Sequence, residues 1–160
     1  MFQEVFSHIH PIMVHFPIVL ILFATIYDVF TLITKRKISP RKGFWLWLIA
    51  FLSAWIAVGT GPEHDARGNT NVFEYHQDLA DLTTLIAFLV VAFRAFFVLK
   101  KKELIRVSLA AYLVLSLLST VGILSTGYFG GKMVYSQGVG VKMNGTYVNP
   151  PKSGKWNQGN

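Results

Sequence analysis

The chain contains no cysteine, so its 160 residues build no disulfide, no covalently attached c-type haem and no cysteine-ligated iron–sulfur cluster. Charge is scarce too, at 14% of residues, and acid is scarcer than base, with 8 Asp and Glu against 15 Lys and Arg. The first ten residues hold no Lys or Arg, and no small-residue cleavage site follows the first apolar run. The first span is therefore expected to stay in the membrane and not to be removed as a signal peptide. No HExxH pair, hydrolase elbow or phosphate loop in a strand–helix context is present. The chain is not expected to be an enzyme by itself.

Apolar residues are abundant: 52% of the chain is hydrophobic, with 13 Phe and 4 Trp. A membrane-spanning helix needs roughly 20 such residues, or about 80 for four. Four runs qualify, at about 11–33, 43–61, 76–99 and 107–129. The first carries His15 and Asp28, and the third Asp78, Asp81 and Arg94, while the second and fourth are uncharged. Only a helix satisfies its own backbone in lipid without closing into a barrel. A soluble helical bundle would need polar faces that the second and fourth runs lack. The fold expected is an all-α integral membrane bundle of four transmembrane helices. Its parts are an outer segment 1–10, a membrane domain 11–131 and an outer polar tail 132–160. The Gly130-Gly131 pair is expected to end the last helix, and Asn144-Gly145 and Asn149-Pro150-Pro151 to make turns in the tail.

The net charge of +7 would suggest nucleic acid if it lay on a soluble face. It falls instead in short clusters between the apolar runs, the pattern that sets membrane topology. Lys35, Arg36, Lys37, Arg41 and Lys42 follow the first run, and Lys100, Lys101, Lys102 and Arg106 follow the third. The loop between the second and third holds only Arg67, against Glu63, Asp65 and Glu74. Both termini are thus expected outside, in an integral protein of the bacterial cytoplasmic membrane with the lipid bilayer as its partner and no nucleic acid.

The two halves echo each other at a spacing of 66 residues: His10 with His76, Asp28 with Arg94, Ser53 with Ser119, and Thr60-Gly61 with Thr126-Gly127. Parallel internal repeats are common in membrane proteins, and two tandem hairpins would make the first and third helices equivalent. In each of those helices the histidine and the charged residue are 18 apart, or five turns, and so share one face. Asp28 and Arg94 then lie at one depth near the inner surface, where intramembrane charges usually pair. Snorkelling of Arg94 to the cytoplasm is the alternative.

His8, His10 and His15 cluster at the outer end of the first run, with His64 and His76 around the outer loop. Imidazole is the commonest protein metal ligand. Three readings compete. A b-type haem takes His76 and one of His10 or His15; a metal ion takes His10, His15, His64 and His76 with Glu63, Asp65 or Asp78; or the histidines are interfacial and hold nothing.

The run His10-Pro11-Ile12-Met13-Val14-His15-Phe16-Pro17 resembles the opening signature of an uncharacterised membrane family, domain of unknown function 2231. His76 near the start of the third run and the ending Gly-Gly-x-x-Val-Tyr-x-x-Gly-Val-Gly-Val, from Gly130 to Val141, agree with that family. Similar domains occur joined to Rieske iron–sulfur or cytochrome c domains. The resemblance therefore implies a redox role, electron transfer through haem, and a separate outer-face redox partner of the Rieske or cytochrome c kind. The runner-up is a non-redox metal-binding or small-solute membrane protein, or a structural subunit of a larger complex.

The absence of native cysteine makes the topology directly measurable. A single cysteine at Ser136 is expected to react with an impermeant maleimide in intact cells. One at Lys101 is expected to react only after permeabilisation.

Overall fold

The computed structural model describes residues 9–61 and 71–150. Its helices are α1 (Ile9–Met13), α2 (His15–Lys35), α3 (Phe44–Gly59), α4 (Val72–Leu99) and α5 (Arg106–Gln137). The first two form one apolar rod of 27 residues. The turn between them, at Val14, keeps helical angles, and the Val14 N–H still bonds the His10 carbonyl. Pro17 explains the irregularity: its ring nitrogen has no hydrogen for the Met13 carbonyl one turn back.

The bundle has a strongly apolar exterior, and its interior combines an apolar core with buried polar residues. Phe23, Phe30, Ile33, Trp55 and Val121 are exposed, whereas Asp28, Arg94, Thr83, Ser116 and Ser119 are buried. The rod of α1 and α2, α4 and α5 are each long and apolar enough to cross a membrane. The expected second span is shorter, a helix of 16 residues, or about 24 Å. The third begins one turn before residue 76, at Val72.

The last helix corrects the expected tail boundary at residue 132. It runs through Gly130 and Gly131 to Gln137 and is capped by Gly138 at φ 65°. Glycine costs a helix only about 1 kcal/mol, and Gly130 itself packs against the His76 ring. Beyond it the tail contains a hairpin, β1 (Lys142–Met143) antiparallel to β2 (Thr146–Tyr147). Its turn is Asn144-Gly145, both residues at positive φ, as a two-residue hairpin loop requires.

Burial repeats with the sequence echo. On α2, Pro17, Ile21, Ala24, Thr25 and Asp28 are buried; the positions 66 further on, Thr83, Ala87, Val90, Val91 and Arg94, are the buried face of α4. Ala50, Ser53 and Ala57 of α3 correspond in the same way to Ser116, Ser119 and Ile123 of α5. The two hairpins therefore present equivalent faces to a common interior.

One polar node ties the four long helices together. Asp28 Oδ2 (α2) accepts from Arg94 Nη1 (α4) at 2.7 Å, from Trp47 Nε1 (α3) at 2.8 Å and from the Tyr112 hydroxyl (α5). Arg94 does not snorkel: its side chain is fully buried, and Nη1 also donates to the Tyr112 oxygen. Its remaining nitrogens donate to the carbonyls of Ser39, Pro40 and Lys42, pulling the 36–43 loop over the end of the bundle. Gly43 completes that grip. It sits at φ 77°, and a Cβ there would lie 3.1 Å from the Tyr27 ring and 3.3 Å from Arg94 Nη2.

Removing one partner leaves a buried, uncompensated charge, which costs about 3–5 kcal/mol. Arg94→Ala is thus expected to lower the unfolding temperature in detergent sharply. Arg94→Lys is not expected to restore it, because an ammonium cannot span Asp28 and three loop carbonyls at once.

Candidate functional site

At the end of the bundle opposite the Asp28 node, His10 of α1 meets His76 of α4. Their ring centroids are 6.4 Å apart and the ring planes stand at 89°. Both rings are partly buried, and each is fixed through the same nitrogen. His10 Nδ1 lies 2.9 Å from the Ala57 carbonyl of α3, and His76 Nδ1 lies 2.9 Å from the Thr126 carbonyl of α5. A carbonyl oxygen only accepts, so each Nδ1 carries the proton and each Nε2 keeps a free lone pair.

The local sequence explains why these two carbonyls are available. Ala57 lies in the last turn of α3, where its carbonyl accepts from the backbone only through the Thr60 N–H, at 3.3 Å. It also accepts from the Thr60 hydroxyl at 2.9 Å. Thr126 lies inside α5, and its carbonyl is reached because Gly130, one turn on, has no side chain. A Cβ on Gly130 would sit 3.1 Å from the His76 ring. Gly61 holds the same place relative to Ala57, and a Cβ there would lie 3.8 Å from His10. Each half thus uses a carbonyl followed four residues later by glycine to hold its histidine. That pairing was present in the sequence, but the carbonyl acceptors themselves carry no residue-type signal.

His15, the other possible first-helix ligand, does not join the pair. Its ring is exposed and bonds the Pro11 carbonyl of its own helix at 2.6 Å, beside Phe16, Val19 and Leu20. Asp78 is exposed on α4. His8, Glu63, His64 and Asp65 lie outside the described residues. Among the described residues, no group of three or more His, Asp or Glu side chains stands close enough to hold a metal ion. Asp28 and Arg94, 18 residues from the two histidines on the same helices, form the buried ion pair at the far end.

Two imidazoles, each oriented by a backbone carbonyl, meet at one end of a helical bundle with an apolar exterior, as a membrane protein has. The chain belongs to the family described as predicted membrane protein (DUF2231), whose model matches residues 7–143. No curated protein and no solved structure matches it.

Nitrogen-15 NMR of histidine-labelled, ligand-free protein checks the assignment of protons. His10 and His76 are expected as Nδ1–H tautomers with unprotonated Nε2, and an Nε2–H signal from either would contradict the geometry. Gly130→Leu is expected to shift the His76 resonances and leave those of His10 in place.

Proposed function

We propose that His10 and His76 would hold a b-type haem at the outer face of the membrane, and that this group would supply single-electron transfer there. The observation that carries this reading is the pair itself: two rings 6.4 Å apart, each with Nδ1 bound to a carbonyl. Each ring would supply one nitrogen to such a group. The Nδ1–H bonds to Ala57 and Thr126 fix ring orientation and raise the basicity of Nε2, as the supports of metal-binding histidines do.

The number of donors favours haem over a lone ion. A structural zinc site takes four protein ligands and a catalytic one three. A haem brings its own equatorial nitrogens and asks the protein for two. The pair of His10 and His76 meets the second demand. When bound, the haem supplies reversible one-electron chemistry. This chain's own part is to hold the two imidazoles at fixed separation and tautomer on a rigid pair of hairpins.

The membrane setting is part of the proposal. The short α3 reaches the same two levels as the longer rod beside it, because Trp47 bonds Asp28 at one end and Ala57 bonds His10 at the other. All four long helices then cross the bilayer. The basic clusters at 35–42 and 100–106 put the Arg94 end in the cytoplasm and the histidines outside. The protein is an electron carrier of a bacterial cytoplasmic membrane, and its partner is an outer-face redox protein of the Rieske or cytochrome c kind.

Absorption spectra of the detergent-purified protein, oxidised and then dithionite-reduced, test this. A Soret band with sharp reduced α and β bands is expected. It should be lost in His10→Ala and in His76→Ala but retained in His15→Ala. A colourless protein from haem-replete cells would refute the reading, and a stoichiometric zinc, copper or iron content in that preparation would replace haem with a metal ion.

A further inference from the structure

The loops 35–42 and 100–106 share the Arg94 end of the bundle and are built alike. Each follows a long helix and turns through a non-glycine residue at positive φ, Arg36 at 52° in one and Lys101 at 52° in the other. Each then buries one aliphatic side chain in the common core, Ile38 and Leu104, positions that are again 66 apart. Arg94 holds the backbone of the first loop through the Ser39, Pro40 and Lys42 carbonyls. With their apolar members tucked in, the loops present their cations outward. All nine Lys and Arg side chains are exposed, against one acid, Glu103.

None of the nine forms an ion pair among the described residues. Helix dipoles account for some of them: Lys35 and Lys100 stand at the C-termini of α2 and α4, where cations are favoured. Arg41, Lys42 and Arg106 do not fit that account. They stand at the N-termini of α3 and α5, where the dipole is positive and an acid is favoured, yet neither helix has an acid in its first turn. Gly43, the N-cap of α3, brings no side chain to accept from the N–H groups that follow it. Membrane insertion reads the same charges as a topology signal, and once inserted they still lack a counter-ion. Two helix N-termini and nine cations thus converge on one surface suited to an anion.

That anion has to carry an apolar part. Trp45, Leu99, Ile105 and Val107, each within three residues of a cation, are 68%, 80%, 65% and 82% exposed. A free phosphate would leave them bare, whereas a phospholipid covers them with its chains and meets the cations with its headgroup. We infer that this end of the bundle is a binding surface for anionic phospholipid. Its phosphates lie against the loop cations and the N-termini of α3 and α5, and its chains along Trp45, Leu99 and Val107. Tryptophan is enriched at such a headgroup boundary. Zwitterionic lipid offers the same chains but brings its own cation, so charge selects the anionic class. The surface does not depend on a haem at the histidine end.

The test uses the full chain reconstituted in bilayers of phosphatidylcholine and phosphatidylglycerol, one of the two carrying brominated chains that quench tryptophan. The association constant for phosphatidylglycerol is expected to exceed that for phosphatidylcholine several-fold. The preference should shrink toward one in about 1 M salt, where screening acts within about 3 Å. A combined variant, Lys35→Gln, Lys37→Gln, Arg41→Gln, Lys100→Gln and Lys102→Gln, spares the positive-φ residues and is expected to abolish it. Lys132→Gln with Lys142→Gln, at the histidine end, is expected to preserve it, and Trp45→Phe to lower the selective quenching. Equal quenching by the two lipids overturns the inference. So does a preference that salt or the loop variant leaves intact, or that the Lys132 and Lys142 changes remove equally. The salt titration needs no variant, so the test stands if the combined variant fails to fold.

Discussion

A carboxylate in the interior of a membrane has few ways to remain charged. Water is remote, lipid offers no donors, and an unpaired ion at that depth is costly. Asp28 answers this by collecting one donor from each of the other three long helices, Trp47, Arg94 and Tyr112, on a single oxygen. The arrangement fixes rotation as well as position, since turning any helix by a residue would withdraw its donor. Arg94 then extends the constraint to the chain outside the bundle by holding the carbonyls of the 39–42 loop. A buried ion pair is poor evidence of net stability, and its part here is better described as setting register.

The histidine end inherits that register. His10 and Asp28 lie on one face of the first rod, and His76 and Arg94 on one face of α4, so the pairing at one end aligns the rings at the other. The short α3 and the long α5 complete the frame by supplying the Ala57 and Thr126 carbonyls. The site thus needs no dedicated loop to orient it. Backbone of the partner helix does so, and glycine at 130 lets the His76 ring come close enough.

Much of this was legible in the sequence because it follows from period and spacing. Apolar run lengths give the helices, and eighteen-residue intervals put His10 with Asp28 and His76 with Arg94 on common faces. The 66-residue echo makes Asp28 and Arg94 neighbours. Other features were hidden for physical reasons. Trp47 and Tyr112 are offset by one residue from the echo, so nothing marked them as sharing a carboxylate. Choosing between His10 and His15 depended on side-chain direction across helices, which a list of histidines does not contain. The end of α5 was misread because Gly130 and Gly131 are weak helix formers in isolation, while tertiary contact decides whether the helix continues.

The separation of Asp28 from Arg94 along the chain has a consequence for how the protein is made. The carboxylate leaves the ribosome 66 residues before its counter-ion. During that interval the first hairpin carries an acid with only the Trp47 indole to meet it, and its 36–43 loop lacks the side chain that folds it down. Neither hairpin is therefore a finished unit on insertion. The first is a waiting partner whose structure closes only when α4 arrives, so the last step of biogenesis is a first-order docking of two parts of a single chain.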